Sequence, residues 1–205
     1  ITGDLFDGMG DDLASFIEPL NNLESAKGIF FVTGNHENYL GVDKILPILK
    51  ETKINVLDNQ AVDIDGLQII GLSYPGFGEV KNVKKIIKSD KNFVKGAPTI
   101  LLYHTPTNIE EEKKDAASRQ WSTYWSPDSD FTAAKELGVN LQLSGHTHKG
   151  QIFPFGLITK LVYKGHDYGH YQDGNFSLYT TSGVGTWGPP MRTGNKPEIA
   201  AIKLK

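Results

Sequence analysis

Three apolar runs in this chain each end at, or within two residues of, a histidine or an asparagine–histidine pair. Residues 28–33 precede Gly34 and Asn35-His36, residues 99–103 precede His104, and residues 139–144 precede Gly145 and His146. Each run has the length and apolar character of a buried strand. In open α/β sheets, ligands bind at the carboxyl ends of the strands. We therefore expect these histidines to converge at one edge of a sheet if the three strands are neighbours.

The rest of the chain alternates strand-like runs with amphipathic runs, which favours an α/β fold. Helices are predicted for residues 13–23, after the acidic pair Asp11-Asp12, and for residues 42–51, 80–88 and 131–137. Further strands are predicted for residues 61–64, 67–72, 176–181 and 198–204. Asp65-Gly66, between the first two of these strands, is typical of a two-residue hairpin turn. Residues 105–130 have weak periodicity and are expected to form a long irregular segment beside the site.

Composition excludes several classes of protein and of metal site. A chain of 205 residues with a hydrophobic fraction of 39% suits a single globular domain over residues 1–205. Its formal net charge of -3 gives no general attraction to nucleic acid or anionic lipid, so any phosphate binding must be local. Because the chain has no cysteine, a metal ion would have to be held by His, Asp, Asn or Glu. No apolar run approaches the ~20 residues of a membrane span.

Two short motifs carry groups that bind metal ions. Gly145-His146-Thr147-His148 places two imidazoles on either side of one threonine; in an extended backbone both rings would project to the same side. The alternative is a pair of surface histidines in a loop. Gly34-Asn35-His36-Glu37 places an amide oxygen and an imidazole on adjacent residues, which suits one group on a metal and one on a substrate. Its alternative is a polar turn, and Glu37 is expected to cap the loop or support a ligand.

The remaining polar candidates are weaker when taken one at a time. Asp4 and Asp7 lie in a glycine-flanked loop, and a carboxylate can bridge two cations through its two oxygens. A solvated acidic turn is the alternative, and it is the better explanation for Asp7 alone. His104 alone would be a buried histidine with its hydrogen bonds satisfied. His166 and His170 are expected in a loop because glycines surround them.

Several aromatic residues could line a substrate groove, although packing in the core is the simpler explanation for each of them. They are Trp121, Tyr124, Trp125 and Trp187.

The order of the motifs resembles the calcineurin-like metallophosphoesterase superfamily. That order is Gly-Asp-x-x-Asp-Gly, Gly-Asn-His-Glu, a strand ending in His, and Gly-His-Thr-His, and it extends over nearly the whole chain. The continuation Lys149-Gly150-Gln151 is similar to a bacterial branch with the motif Gly-His-Thr-His-x-Gly-Gln. Members of that branch are commonly membrane-anchored or exported phosphoesterases. The resemblance implies a β-sandwich flanked by helices in four layers, lacking the family's first strand and helix.

The resemblance also implies which residues would hold two divalent transition-metal ions, Mn, Fe or Zn. Asp4 would bridge both ions. Asn35, His104 and His146 would complete the site of one ion, and His148 would bind the other.

Other residues would act on the substrate or support the ligands, again by resemblance. His36 would contact a phosphate oxygen and assist the leaving group, with Asn35 beside it in the substrate site. Asp7 and Glu37 would orient the loop or a ligand from behind. Arg192 could lie near the pocket, but the family pattern does not make it catalytic.

One part of the family pattern is missing from these 205 residues. The family begins with a strand ending in Asp-x-His, and no histidine here has an aspartate two residues before it. We therefore expect an N-terminally truncated domain whose other metal site keeps only Asp4 and His148. Such a chain would show at most weak activity, and the missing strand would expose apolar sheet edge. Membrane attachment through the missing segment is a further expectation.

The function implied by the resemblance is hydrolysis of a phosphomonoester or phosphodiester by a hydroxide held between two metals. No specific nucleic acid is expected as a partner. Three alternatives stay open: a metal-dependent amidohydrolase, a nuclease of the same superfamily, and a non-catalytic metal- or partner-binding module with the same fold. Amidohydrolases usually carry His-x-His near the N-terminus, unlike this chain. The acidic net charge disfavours a nuclease.

Overall fold

The computed structural model describes residues 1–7, 12–76, 82–110 and 126–204 of the chain. The strands in these ranges are β1 (Ile29–Phe31), β2 (Ile54–Val56), β3 (Gln60–Ile64), β4 (Leu67–Leu72), β5 (Thr99–Tyr103), β6 (Leu141–Ser144), β7 (Gly169–Asp173) and β8 (Phe176–Thr180). The α-helices are α1 (Ile17–Asn21), α2 (Asn35–Leu40), α3 (Val42–Lys50), α4 (Val83–Ser89), α5 (Thr132–Glu136) and α6 (Phe155–Val162). Short 3-10 turns span Leu13–Phe16 and His148–Gly150.

The strands form one large mixed sheet and one small parallel sheet. The large sheet has the order β3-β4-β5-β6-β8-β7, in which β4, β5, β6 and β8 run parallel and the two edge strands are antiparallel. The small sheet consists of β1 and β2. Parallel strands place their carboxyl ends at the same edge, so β5 and β6 deliver the residues that follow them to neighbouring positions.

Three apolar clusters separate four layers and confirm the α/β fold with flanking helices. Between the two sheets lie Val32, Leu57 and Leu102, with Phe30, Ile69 and Leu143 packed against them. On the outer face of the small sheet, Phe31 packs with Ile45 and Leu49 of α3 and Leu20 of α1. On the outer face of the large sheet, Ile70, Leu101 and Leu178 pack with Ile87 of α4 and Ala134 of α5. The layers are therefore helix, sheet, sheet and helix.

The predicted hairpin is present between β3 and β4. Asp65 and Gly66 have φ values of 54° and 85°, the left-handed conformations that a type I′ turn requires at both central positions. The turn sets the antiparallel register in which Ile64 pairs with Leu67.

Several predicted elements differ from the observed ones. Residues 198–204 were predicted to form a strand, and the structure shows none there: the Glu198 carboxylate instead accepts hydrogen bonds from Tyr168, Tyr179 and Thr181. These contacts fix Glu198 beside β8, whereas Ile199, Ile202 and Leu204 are exposed. The helices α2 and α6 and the strands β2 and β7 were not predicted. His170 lies in β7, not in a loop, whereas His166 precedes that strand.

Two further findings concern the predicted groove aromatics and membrane spans. Trp121, Tyr124 and Trp125 lie outside the described residues. Among the helices of the described ranges, none has the length and apolar character that would let it cross a membrane.

Candidate metal centre

Four side chains bring their ligand atoms together beyond the ends of β1, β5 and β6. His104 Nε2 lies 3.0 Å from Asp4 Oδ2, 3.0 Å from Asn35 Oδ1 and 3.0 Å from His146 Nδ1. His146 Nδ1 lies 2.9 Å from Asn35 Oδ1. Asp4, His104 and His146 also form the cluster of metal-ligating residue types found in the described part of the chain. Two imidazole nitrogens and two oxygens therefore face one small volume.

The strand ends account for this convergence. His104 directly follows β5 and His146 follows β6 by two residues, and the parallel strands hold them side by side. The Gly145 N–H donates to the His104 carbonyl oxygen at 2.9 Å, which joins the two strand ends. Asn35 is the first residue of α2, close after β1. The segment before Asp4 runs beside β1, where Ile1 donates to the Phe30 carbonyl and accepts from the Val32 N–H.

A backbone contact fixes the tautomer of His104. Its Nδ1 lies 2.7 Å from the Thr2 carbonyl oxygen, so Nδ1 must carry a proton that it donates. In the neutral ring, Nε2 then presents a lone pair to the shared volume. A backbone carbonyl on the far nitrogen is the usual support of a metal-ligating histidine.

The donor set fits a divalent cation. The Asp4 carboxylate oxygen, the Asn35 amide oxygen and the His104 Nε2 are all acceptors, and one proton on His146 Nδ1 could satisfy only one of its two contacts. A cation among the four atoms would satisfy all of them. Nitrogen and oxygen donors in this combination suit Zn, Mn or Fe.

The charges in the cluster are those that cation binding requires. Burial alone raises the pKa of Asp4, but the hydrogen bond and charge of His104 lower it to about 2. Burial, followed by the charge of His104, lowers the pKa of His146 to about 3. At neutral pH the carboxylate is therefore ionised and the His146 ring is neutral.

Glu37 holds the Asp4 loop in place. Its side chain is fully buried, and its two oxygens accept from the backbone N–H groups of Gly34 (2.6 Å), Asp4 (2.9 Å), Leu5 (2.9 Å) and Phe6 (3.3 Å). Asp4 has φ +53°, a conformation that non-glycine residues rarely adopt and that four converging hydrogen bonds stabilise. Burial raises the pKa of Glu37, and these N–H groups oppose that rise. Glu37 therefore caps the Asp4 loop, and its support of a metal ligand stays a prediction.

Two glycines let the Asp4 loop and the Asn35 loop touch. A Cβ at Gly3 would lie 2.7 Å from both the Gly34 nitrogen and His104 Nδ1, and a Cβ at Gly34 would overlap the Asp4 carboxylate. No side chain can be accommodated at either position without moving Asp4 or His104.

His36 projects into the same region from the first turn of α2. Its Nδ1 donates to the Asp7 carbonyl oxygen at 2.5 Å, and its Nε2 lies 4.0 Å from Asp4 Oδ2. The His36 backbone N–H also donates to Asp4 Oδ1 at 3.0 Å. Asp7 therefore orients His36 through its backbone carbonyl.

His148 lies apart from the four-atom cluster. Its Nδ1 is 3.3 Å from Arg192 Nη2, and burial together with the Arg192 charge lowers the pKa of His148 to about 4. The expectation of an extended His-x-His segment was wrong: His146 and His148 have φ values of 69° and 48°, and Thr147 between them is helical. The two rings therefore have different contact partners: His146 contacts His104 and Asn35, and His148 contacts Arg192.

Three residues at the site were not predicted from the sequence. Thr2 supplies the carbonyl that orients His104. The ring of Tyr74 packs edge-on against His104 at 5.8 Å and stacks on His146 at 6.5 Å, and the Tyr163 ring packs edge-on against His146 at 6.3 Å. Tyr74 follows β4 by two residues, just as His146 follows β6. This position after a strand could have indicated from the sequence that Tyr74 lies at the site.

The pKa shifts predict how stability depends on pH in the metal-free protein. The pKa values of His146 and His148 lie below the ordinary 6.5, so between pH 6.5 and about 4 the unfolded chain binds more protons than the folded one. The two histidines therefore lower stability as pH falls through this window, and Asp4 continues the fall from 3.8 to about 2. Glu37, whose pKa is raised by burial, opposes this fall in part, but the two histidine shifts are expected to outweigh it. Urea midpoints of EDTA-treated protein at several pH values test this. A midpoint that stays flat or rises toward pH 4 would contradict the assigned shifts.

Comparisons with known proteins identify the family of this chain. A family model described as calcineurin-like phosphoesterase matches residues 1–150. The chain is 36% identical over 207 residues to an "uncharacterized metallophosphoesterase" of Helicobacter pylori strain J99, covering 100% of this chain and 50% of that protein. It is 31% identical to the "transmembrane protein with metallophosphoesterase domain" of Danio rerio, covering 100% of this chain and 45% of that protein. The chain thus spans about half the length of these relatives. It belongs to the calcineurin-like phosphoesterase family.

Proposed function

We propose that this domain hydrolyses phosphoric monoesters or diesters with the help of two divalent metal ions. The observation that supports the proposal best is the convergence of Asp4 Oδ2, Asn35 Oδ1 and His146 Nδ1 on His104 Nε2, which lies 3.0 Å from each of them. These four residues would hold one cation. Asp4 and His148 would contribute to the second.

When bound, the cations would supply Lewis acidity and lower the pKa of a coordinated water. The chain's own residues hold the metal-binding atoms in position. The Thr2 carbonyl accepts a hydrogen bond from His104 Nδ1, so Nε2 is the ring atom that would bind the cation, and Glu37 holds the backbone of the Asp4 loop. Asn35 directs its amide oxygen into the cluster, toward His104 Nε2 and His146 Nδ1.

His36 is placed to act on the substrate. Because the Asp7 backbone carbonyl accepts a hydrogen bond from His36 Nδ1, the other ring nitrogen, Nε2, faces the region around Asp4. A protonated Nε2 could donate to a phosphoryl oxygen and then to the departing alcohol oxygen, which is general acid catalysis. In this proposal His36 binds phosphate and holds a proton, and it does not bind metal.

The direct test is hydrolysis of an aryl phosphate monoester and a bis-aryl phosphate diester after equilibration with Mn²⁺ or Zn²⁺, alongside metal analysis of the same samples. Activity that appears with bound metal and is lost on chelation supports the proposal. A chain that holds two metal ions and hydrolyses none of a broad ester panel supports the non-catalytic alternative.

The variant His36→Ala separates the two proposed roles. We expect metal content to stay at the wild-type level because His36 is outside the four-atom cluster, while kcat falls by about a hundredfold or more. The matched control is His170→Ala, an exposed histidine on β7, for which both quantities should be unchanged. Loss of metal in His36→Ala, or an unchanged kcat, would contradict the assigned role.

A further inference from the structure

Helix α6 turns its apolar side toward solvent. Leu157, Ile158 and Leu161 share one face of the helix, and Leu157 and Leu161 are 64% and 79% exposed. Phe155 at the start of the helix is also exposed, and Phe153 just before it is 72% exposed. The opposite face, with Gly156, Thr159 and Val162, is the partly buried one. A surface helix of a globular protein normally has the reverse arrangement. We call the exposed residues Phe153, Phe155, Leu157, Ile158 and Leu161 the α6 surface.

Close packing fixes this orientation of the helix. The α-carbon side of Gly156 lies against the Lys149 carbonyl oxygen, which would be 3.1 Å from a Cβ at that position. A Cβ at Gly150 would collide with the Gly156 backbone. Rotating α6 to bury its leucines would bring larger side chains into this glycine contact, so the apolar face cannot turn inward.

The α6 surface continues toward the metal centre through a neighbouring loop. Fully buried Gln151 exchanges two hydrogen bonds with the Trp187 backbone, at 2.8 and 2.9 Å, and the Phe153 N–H donates to the Thr193 hydroxyl at 2.9 Å. Trp187 itself is exposed beside this junction. The same loop carries Arg192, which contacts His148. One edge of the exposed apolar area is therefore tied to the residues around the site.

The charge around α6 is locally positive although the chain as a whole is acidic. Residues 149–165 contain Lys149, Lys160 and Lys164 and no aspartate or glutamate, whereas the full chain has a net charge of -3. Lys160 and Lys164 are exposed, and the next acidic residue, Asp167, is almost fully buried. Exposed Leu, Ile and Phe flanked by lysines are typical of helices that lie in the interface of a membrane.

We propose that the α6 surface docks on the anionic surface of a lipid bilayer. The apolar side chains enter the boundary between headgroups and acyl chains, and Lys160 and Lys164 contact anionic headgroups. The helix is too short to span the bilayer and lies along it. Docking does not depend on the proposed phosphoesterase activity; it would face the His148 side of the site toward the headgroup region.

Vesicle sedimentation tests the docking without any assay of activity. The 205-residue chain is mixed with phosphatidylcholine vesicles that contain either no phosphatidylglycerol or one quarter of it. We expect binding to the anionic vesicles, weakened by added salt. Leu157→Ser/Leu161→Ser and Lys160→Gln/Lys164→Gln should each lower the partition coefficient by about tenfold or more.

The matched control is Leu23→Ser/Val94→Ser, which changes two exposed apolar residues elsewhere on the domain and should bind within about twofold of wild type. Thermal melting checks that all variants are folded. Absence of wild-type binding to the anionic vesicles, or equal binding by the Leu157/Leu161 variant, overturns the proposal. A wild-type dimer that this variant converts to monomer, without vesicle binding, would assign the surface to self-association instead.

Discussion

Asp4→Asn is expected to empty the metal centre while leaving the fold in place. Asparagine has the same shape and keeps an oxygen for the hydrogen bond from the His36 N–H, so the loop retains its contacts. What is lost is the negative charge 3.0 Å from His104 Nε2, the one formal charge among the four donor groups. Neutral nitrogen and amide donors alone bind a divalent ion far less tightly than a set that includes a carboxylate. We expect metal content near zero and loss of any metal-dependent hydrolysis that the wild-type chain shows.

Metal analysis after equilibration with Mn²⁺ and removal of free ion measures this effect. Asp173→Asn, which alters an exposed carboxylate paired with Lys135, is the matched control and should keep full metal content. Unchanged thermal melting of metal-free Asp4→Asn would show that the fold is intact. Full metal occupancy in that variant would refute the role of Asp4 as a metal ligand.

Glu37→Gln is expected to destabilise the domain by about 3 kcal/mol, although no atom of Glu37 is in the metal cluster. Each Glu37 oxygen accepts two backbone N–H groups, and in the variant one of the oxygens becomes an NH₂ group. Two buried N–H groups then face a donor instead of an acceptor. The left-handed conformation of Asp4 loses its support, so metal affinity should fall together with stability.

Urea unfolding and metal titration of the same samples measure the two losses. Glu51→Gln is the control, because Glu51 is exposed at the end of α3 and its replacement should change stability by less than about 0.5 kcal/mol. A Glu37→Gln variant that is as stable as wild type and binds metal equally well would show that the four contacts do not shape the site.

The sequence was sufficient to predict the convergence of Asn35, His104 and His146, because each lies just after a strand-like apolar run. Parallel pairing of β5 and β6 then made two of them neighbours. The layered α/β architecture followed from the same alternation of strands and helices. The two-metal assignment and the role of His36 came from the family resemblance and stay predictions.

Other features depend on contacts that a linear pattern does not carry. β2 has only three residues, which is too few to show the alternating pattern of a strand. The apolar residues of α6 face outward, so the usual link between periodicity and burial is reversed there. Residues 198–204 are mostly apolar, as in a strand, but Glu198 accepts hydrogen bonds from side chains and the segment pairs with no strand of the described ranges. The Thr2 carbonyl contact to His104 spans 102 residues and has no local signature.

The four-donor cluster has a consequence for folding as well as for chemistry. Its contacts join residues 69, 42 and 111 positions apart in the sequence, in a chain that has no cysteine. A bound cation would act as a reversible cross-link that closes these long loops, much as a disulfide does in an oxidised protein. A partly folded chain lacking β1, β5 or β6 would not assemble the donors. Release of the ion would therefore accompany cooperative unfolding of the domain and not the fraying of one loop.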